Sequence, residues 1–266
     1  MTATTPTAIR HHAPWVWGWA GALLGLATMT VVLAPARWLT DAIAQASAQR
    51  VQLSDARGSV WQGSAQLVLT GGVGSADALA LPGRVNWRIR PLWGGAQIQI
   101  SADCCTPQPL NLALSVPRQQ PVRLTLVDNQ SQWPANLLAG LGTPWNTIRP
   151  QGQLLLSTQG VGLHWINQRV SLQGSLQLDA TQMSTRLSTL VPMGSYRLML
   201  LGGETPTLSL STLEGSFQLS GQGHWVGNAL RFRGEAMASP GRVEALSNLL
   251  NIIGRRDGAR SAIKVG

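Results

Sequence analysis

The stretch GRVNWRIRPLWGGAQIQI, Gly83–Ile100, alternates with period two on both sides of a Gly-Gly turn. Val85, Trp87 and Ile89 point one way, and Arg84, Asn86, Arg88 and Arg90 the other. Ile98 and Ile100 then alternate with Gln97 and Gln99. Successive side chains of a strand lie on opposite faces, so this pattern predicts a hairpin with one apolar and one solvated face. Related units recur in DARGSVWQGSAQLVLTG (Asp55–Gly71), RPQGQLLLSTQGVGLHW (Arg149–Trp165) and LEGSFQLSGQGHWVGNALRFRGEA (Leu213–Ala236). Shorter alternations stand at Val122–Leu126, Ser175–Leu178 and Leu208–Leu210. Roughly ten or more strands separated by Gly-Gly, Pro-Gly and Asp-Asn turns predict a mainly β body. From about Val51 to Ala236 it reads as one curved antiparallel sheet, a gutter or an open-barrel-like form, with glycine permitting turns and bends.

Working outward, the composition agrees. The chain has 266 residues, of which only 12% are charged and 29 are glycine. That excludes a disordered or coiled-coil chain. The net charge is +9, from 20 basic and 11 acidic residues. The cations are scattered and form no stripe, which argues against nucleic acid and suits an anionic lipid surface.

Ahead of the body, His11–Ala36 contains no Asp, Glu, Lys or Arg. Its apolar centre is about twenty residues long, the length that spans a bilayer core. Trp15, Trp17 and Trp19 crowd one end and Trp38 marks the other, positions suited to the membrane interface. Gly18, Gly21 and Gly25 are tolerated in lipid, and Gly21 and Gly25 stand four apart as in a close-packing helix face. The Ala34–Ala36 triplet resembles a signal cleavage site, but the apolar run exceeds a signal core of roughly 7–15 residues. The expectation is therefore a short cytoplasmic tail (1–14), an uncleaved single-pass anchor (15–35), a short helix and linker (36–50) and an exported β-rich domain (51–266).

Three interruptions break the β pattern. Ser131–Gly152 holds a helix-like apolar segment between prolines, and Ala180–Tyr196 a helical turn before a proline-bounded connection. In Ser239–Gly258, Val243, Leu246, Leu249, Leu250 and Ile253 share one face, predicting a C-terminal helix stopped by Gly254, with Arg255 and Arg256 at its end. Cys104 and Cys105 are adjacent, too close for an ordinary bridge. A strained vicinal bridge, free thiols and an intermolecular bridge are all open to such a pair, and the reading favours two small residues at a strand end.

No catalytic constellation is visible. His164 and His224 each precede a Trp, with no Cys or carboxylate at metal-ligand spacing. No nucleophile elbow occurs, and Gly71–Asp77 lacks the Lys-Ser/Thr of a phosphate loop and reads as a hairpin turn. The expected catalytic, metal and cofactor sets are therefore empty. A proline-bounded indole remains, Trp145, followed by Asn146, as a candidate contact surface together with the sheet edges.

In order along the chain, RGSVWQGSAQL, GRVNWRI, LGTPWNTIRPQGQLLLST, TRLSTLVPMGSYRLML, LSTLEGSFQLSGQGHW, FRGEA and LSNLLNIIGRRDGARSAIKVG resemble the type II secretion system protein N family. The resemblance spans roughly Val51–Gly266 and the anchor. It implies a Gram-negative inner-membrane protein with a periplasmic body. It also implies a non-enzymatic part in exporting folded proteins, with no cofactor. The implied partners are the inner-membrane C component, the outer-membrane secretin and inner-membrane lipid. A second resemblance, to AsmA-like envelope lipid-transfer proteins, implies an apolar groove that holds lipid.

Overall fold

The computed structural model describes residues 15–118, 121–166, 169–227 and 229–266. The expected tail, residues 1–14, lies outside them. Helix α1 (Trp15–Val32) is followed by α2 (Ala36–Ala46) and then by the sheet. Its strands are β1 (Val51–Gly58), β2 (Gln62–Thr70), β3 (Ala78–Ala80), β4 (Val85–Leu92), β5 (Gly95–Ala102), β6 (Leu110–Ser115), β7 (Val122–Leu126) and β8 (Asn129–Pro134). A 3-10 turn (Ala135–Leu141) and α3 (Trp145–Ile148) interrupt before β9 (Gln151–Ile166), β10 (Arg169–Ser184), β11 (Gly194–Leu201), β12 (Thr207–Gly215), β13 (Phe217–Val226) and β14 (Ala229–Ala238). Helix α4 (Ser247–Ile253), β15 (Arg255–Asp257) and β16 (Arg260–Val265) complete the chain.

Among the described residues sixteen strands form one antiparallel sheet running up and down in nearly sequential order. It stays open, since β1 lies at one edge and β15 at the other. Two strands fork. β2 pairs with β4 through Gln62–Ala65 and with β3 through Val68–Thr70. β9 pairs with β7 through Gly162–Trp165 and with β8 through Gln153–Thr158. The register lines up the alternating apolar residues: Ile89, Ile98, Leu112 and Leu126 are consecutive partners, as are Leu124, Leu163 and Leu172. This is the apolar inner wall that the period-two pattern predicts.

Among the described residues the inner wall is plugged at one end. There α4 and the turn before it supply Leu246, Leu249 and Leu250, which pack on Leu154, Met183, Tyr196, Phe217 and Ala236. All eight are buried. The forks are sealed by Leu81, Ala102, Cys105 and Leu137, and α2 lays Ala36 and Leu39 over Ala65 and Trp87. Toward the other end the wall residues of β5–β7 and β9–β12 are only half-buried. A trough is left.

On the outer face Asp179 and Arg197 are register partners joined by two hydrogen bonds of 2.7 and 2.8 Å. The Arg197 guanidinium holds the Asp179 carboxyl below the usual carboxylate range. A lowered folded-state value means stability present above the ordinary value near 3.9 and lost as pH falls through the folded one. Asp179→Asn should therefore flatten the acid limb of the stability profile. The change should stay under about 1 kcal/mol, because the pair is solvent-screened. Denaturation midpoints across the acid range check this, and an unaltered limb would refute it.

Three expectations need correction. Only Ser247–Ile253 of the predicted Ser239–Gly258 helix is helical. Pro240 and Gly241, the latter at φ +74°, hold the first part in turns. Arg255 and Arg256 enter β15, so the helix is not C-terminal and the sheet continues from Ala236 to Val265. The Ala180–Tyr196 stretch carries no helix: β10 reaches Ser184 and β11 begins at Gly194. Cys104 and Cys105 are joined to each other in a disulfide, and Cys105 is buried in the fork core. The expected anchor is not shown: among the described residues no helix is long and apolar enough to cross a membrane.

Candidate interaction site

The segment between β8 and β9 covers the plugged end. Gly140 lies so close to Leu69 and Leu79 that a Cβ would strike the backbone of β2 and β3. The chain then turns into α3. Its first residue, Trp145, is 38% exposed and projects from the surface. Asn146 turns inward, where its Nδ2 donates to Asp77 Oδ2 at 2.8 Å. Ile148 is buried, and its carbonyl accepts a hydrogen bond from Thr185 Oγ1. Arg149 ends the helix in the left-handed region at φ +46°, with its Nε donating to the Asn146 carbonyl at 3.2 Å. Beside α3 opens a polar cleft of about 340 Å³ whose walls include Asp77, Asn146, Arg149, Gln151 and Arg186.

The two candidate residues are thus split by role. Trp145 is presented outward, and Asn146 ties α3 to the turn after β2. Sequence reasoning missed Asp77 and Arg186, the first read as part of a hairpin turn, the second as part of a connection. That turn is real: Thr70 pairs with Ala78 across it. The interface tryptophans fall into two groups. Trp15, Trp17 and Trp19 are exposed at the start of α1, with the Trp15 and Trp19 rings edge-on at 6.4 Å. Trp38 stands half exposed in α2 instead of closing α1. His164 and His224 lie on different strands, β9 and β13, and among the described residues no cluster of three or more His, Cys, Asp or Glu could hold a metal ion.

At the β1 edge, Asp55 sits in a bulge at φ +48°. Arg84 Nη1 reaches its carboxylate at 2.7 Å, and this contact, then Arg57, holds the Asp55 carboxyl below the usual range. The bulge leaves Val51–Ser54 as the regular part of that edge.

An open, up-and-down antiparallel sheet, plugged at one end by short helices, defines a β-gutter protein. Residues 49–263 match Type II secretion system (T2SS), protein N. The chain belongs to this family and is a component of the type II secretion system. No curated protein and no solved structure matches the chain.

Proposed function

We propose that the protein is a non-enzymatic, single-pass inner-membrane component that supports export of folded proteins by contacts with other secretion components. The carrying observation is the open sheet, whose β1 edge has no further strand beside it among the described residues; Ser47 Oγ engages both the Val51 N–H and its C=O, so the Gln52–Ser54 backbone is the part another chain would pair. The exposed Trp145 beside a polar cleft offers a second contact. The inner-membrane C component and the outer-membrane secretin are the partners we assign. Helix α1 supports the anchor reading: its described side chains are all exposed, and it carries no charge. The hydroxyls of Thr28 and Thr30 donate to the Leu24 and Leu26 carbonyls, the arrangement that satisfies them in lipid. The β-rich domain then lies in the periplasm.

Trp145→Ala should cost no more than about 1.5 kcal/mol, since a partly exposed indole loses less than the ~3–5 kcal/mol of a core aromatic. Co-purification of the two partners from cross-linked membranes should fall. A folded variant that retains both partners would remove Trp145 from the interface.

The half-buried wall of β5–β7 and β9–β12 supports a second reading, a trough for an acyl chain. Mass spectrometry of lipid extracted from the purified protein tests it. A lipid-free protein that fails to bind a fluorescent fatty acid would end it.

A further inference from the structure

The end of the sheet opposite the plug is formed by the described ends of β4, β6, β9, β11, β13 and β16. Turn tips in water normally carry small polar residues. Here the β4–β5 tip is Trp93, fully exposed, next to the exposed Leu92. The Val116 amide donates to the Gly94 carbonyl at 2.7 Å, which sets Val116 beside Trp93. Trp165 is the register partner of both Val122 and Val170, and Trp165 and Val170 are exposed. Val226 is exposed on the β13 side. At the plugged end, by contrast, Val73, Trp145 and Val191 are exposed in three separate connections.

Charge follows the same division. Arg90, Arg118, Arg123, Arg231 and Lys264 are exposed close to this rim, against one acid of its described turns, Glu204. The rim is also where α1 joins the body. Trp61 Nε1 donates to the Val31 carbonyl at 2.8 Å, and the Val60 amide to Ala34 at 2.9 Å. β2 ends its regular pairing with β4 at Arg88 and the Ile89 amide still donates to the Trp61 carbonyl, so Arg90–Leu92 run on past that junction. Three residues carry the strand about 10 Å further.

We infer that this rim rests on a bilayer surface carrying anionic headgroups. Trp93, Trp165 and the valines enter the interfacial layer, and the rim cations face lipid phosphates. Indoles favour that layer, and each cation near an anionic surface adds to the attraction. The half-buried trough then opens at the lipid surface, not into bulk water. This inference rests on the anchoring of α1 proposed above.

The full chain is reconstituted into vesicles of zwitterionic lipid with about one third phosphatidylglycerol. Cys104 and Cys105 are consumed in their disulfide, so single introduced cysteines can carry an environment-sensitive fluorophore. Labels go on Leu24→Cys in α1, on Trp93→Cys and Val226→Cys at the rim, and on Val191→Cys at the plugged end. Lipids brominated near the headgroup should quench the Trp93 and Val226 labels about twofold or more, and lipids brominated deep in the acyl chain the Leu24 label, with the Val191 label unaffected by either. The Val226 variant keeps Trp93, so loss of that indole cannot account for the result. A quenched Leu24 label with water-like labels at 93 and 226 would overturn the rim contact and leave the anchor standing. No quenching at Leu24 would overturn the anchor and this inference with it. Equal quenching at Val191 would overturn the orientation.

Discussion

Phe217→Ala should lower unfolding free energy by about 3–5 kcal/mol, the cost of truncating a fully buried aromatic. Phe217 is 1% exposed and meets the edge of Tyr196 at a ring separation of 6.5 Å. The Tyr196 hydroxyl donates to the Phe217 carbonyl at 3.0 Å, so the two strands are clamped by ring packing and by a buried hydrogen bond. Removing the ring leaves a cavity between β11, β13 and α4 while the hydrogen bond to the backbone survives. Chemical denaturation followed by tryptophan fluorescence measures the loss. A change under about 1 kcal/mol would mean that the plug is loosely packed and that the sheet does not depend on it.

Gly174→Val should be as severe, through the backbone. Gly174 lies in the bulge of the long β9–β10 hairpin at φ +80°, where an L side chain is strained. A Cβ there would fall on the carbonyl group of Gly160, which itself sits at φ +58°. These two glycines let paired 16-residue strands bend where the plugged half gives way to the open trough. The chain has no flexible side chain to move aside, so the variant should lose about 4 kcal/mol or more, or fail to fold. Gly227→Ala is the control: its φ is also positive, at +62°, but nothing lies within reach of an added Cβ. Comparable loss in both variants would show that strain alone, not the close approach, sets the effect.

The strands were legible where side chains alternate cleanly. Gly83–Ile100 reads directly as β4, its turn and β5, because the inner set Val85, Trp87, Ile89, Ile98 and Ile100 is uniformly apolar. β16 was missed for the opposite reason. Its inward positions are Ser261, Ile263 and Val265, and a buried serine breaks the apolar period. The helical spacing of Leu246, Leu249, Leu250 and Ile253 was a true signal of burial, but one face of a short helix and its approach turn satisfies it as well as a long helix does. The candidate site was half legible. Pro144 and Trp145 flag an irregular presented segment, whereas the Asp77–Asn146 bond joins residues 69 apart, and no local pattern encodes such a pairing. The burial of Cys105 is set by Leu81, Ala102 and Leu137 from three different segments, which no local pattern encodes.

The nearly sequential strand order has a consequence for how the molecule comes into being. Each strand finds its partner within a few dozen residues behind it, so a chain made from its amino end can grow the sheet one strand at a time. At every stage the newest strand is the sticky margin, a template for the wrong neighbour as well as the right one. That hazard ends with β16, which slips between β14 and the short, fully charged β15 made just before it. The three residues Arg255, Arg256 and Asp257 then act as a charged selvage along the last side of the fabric.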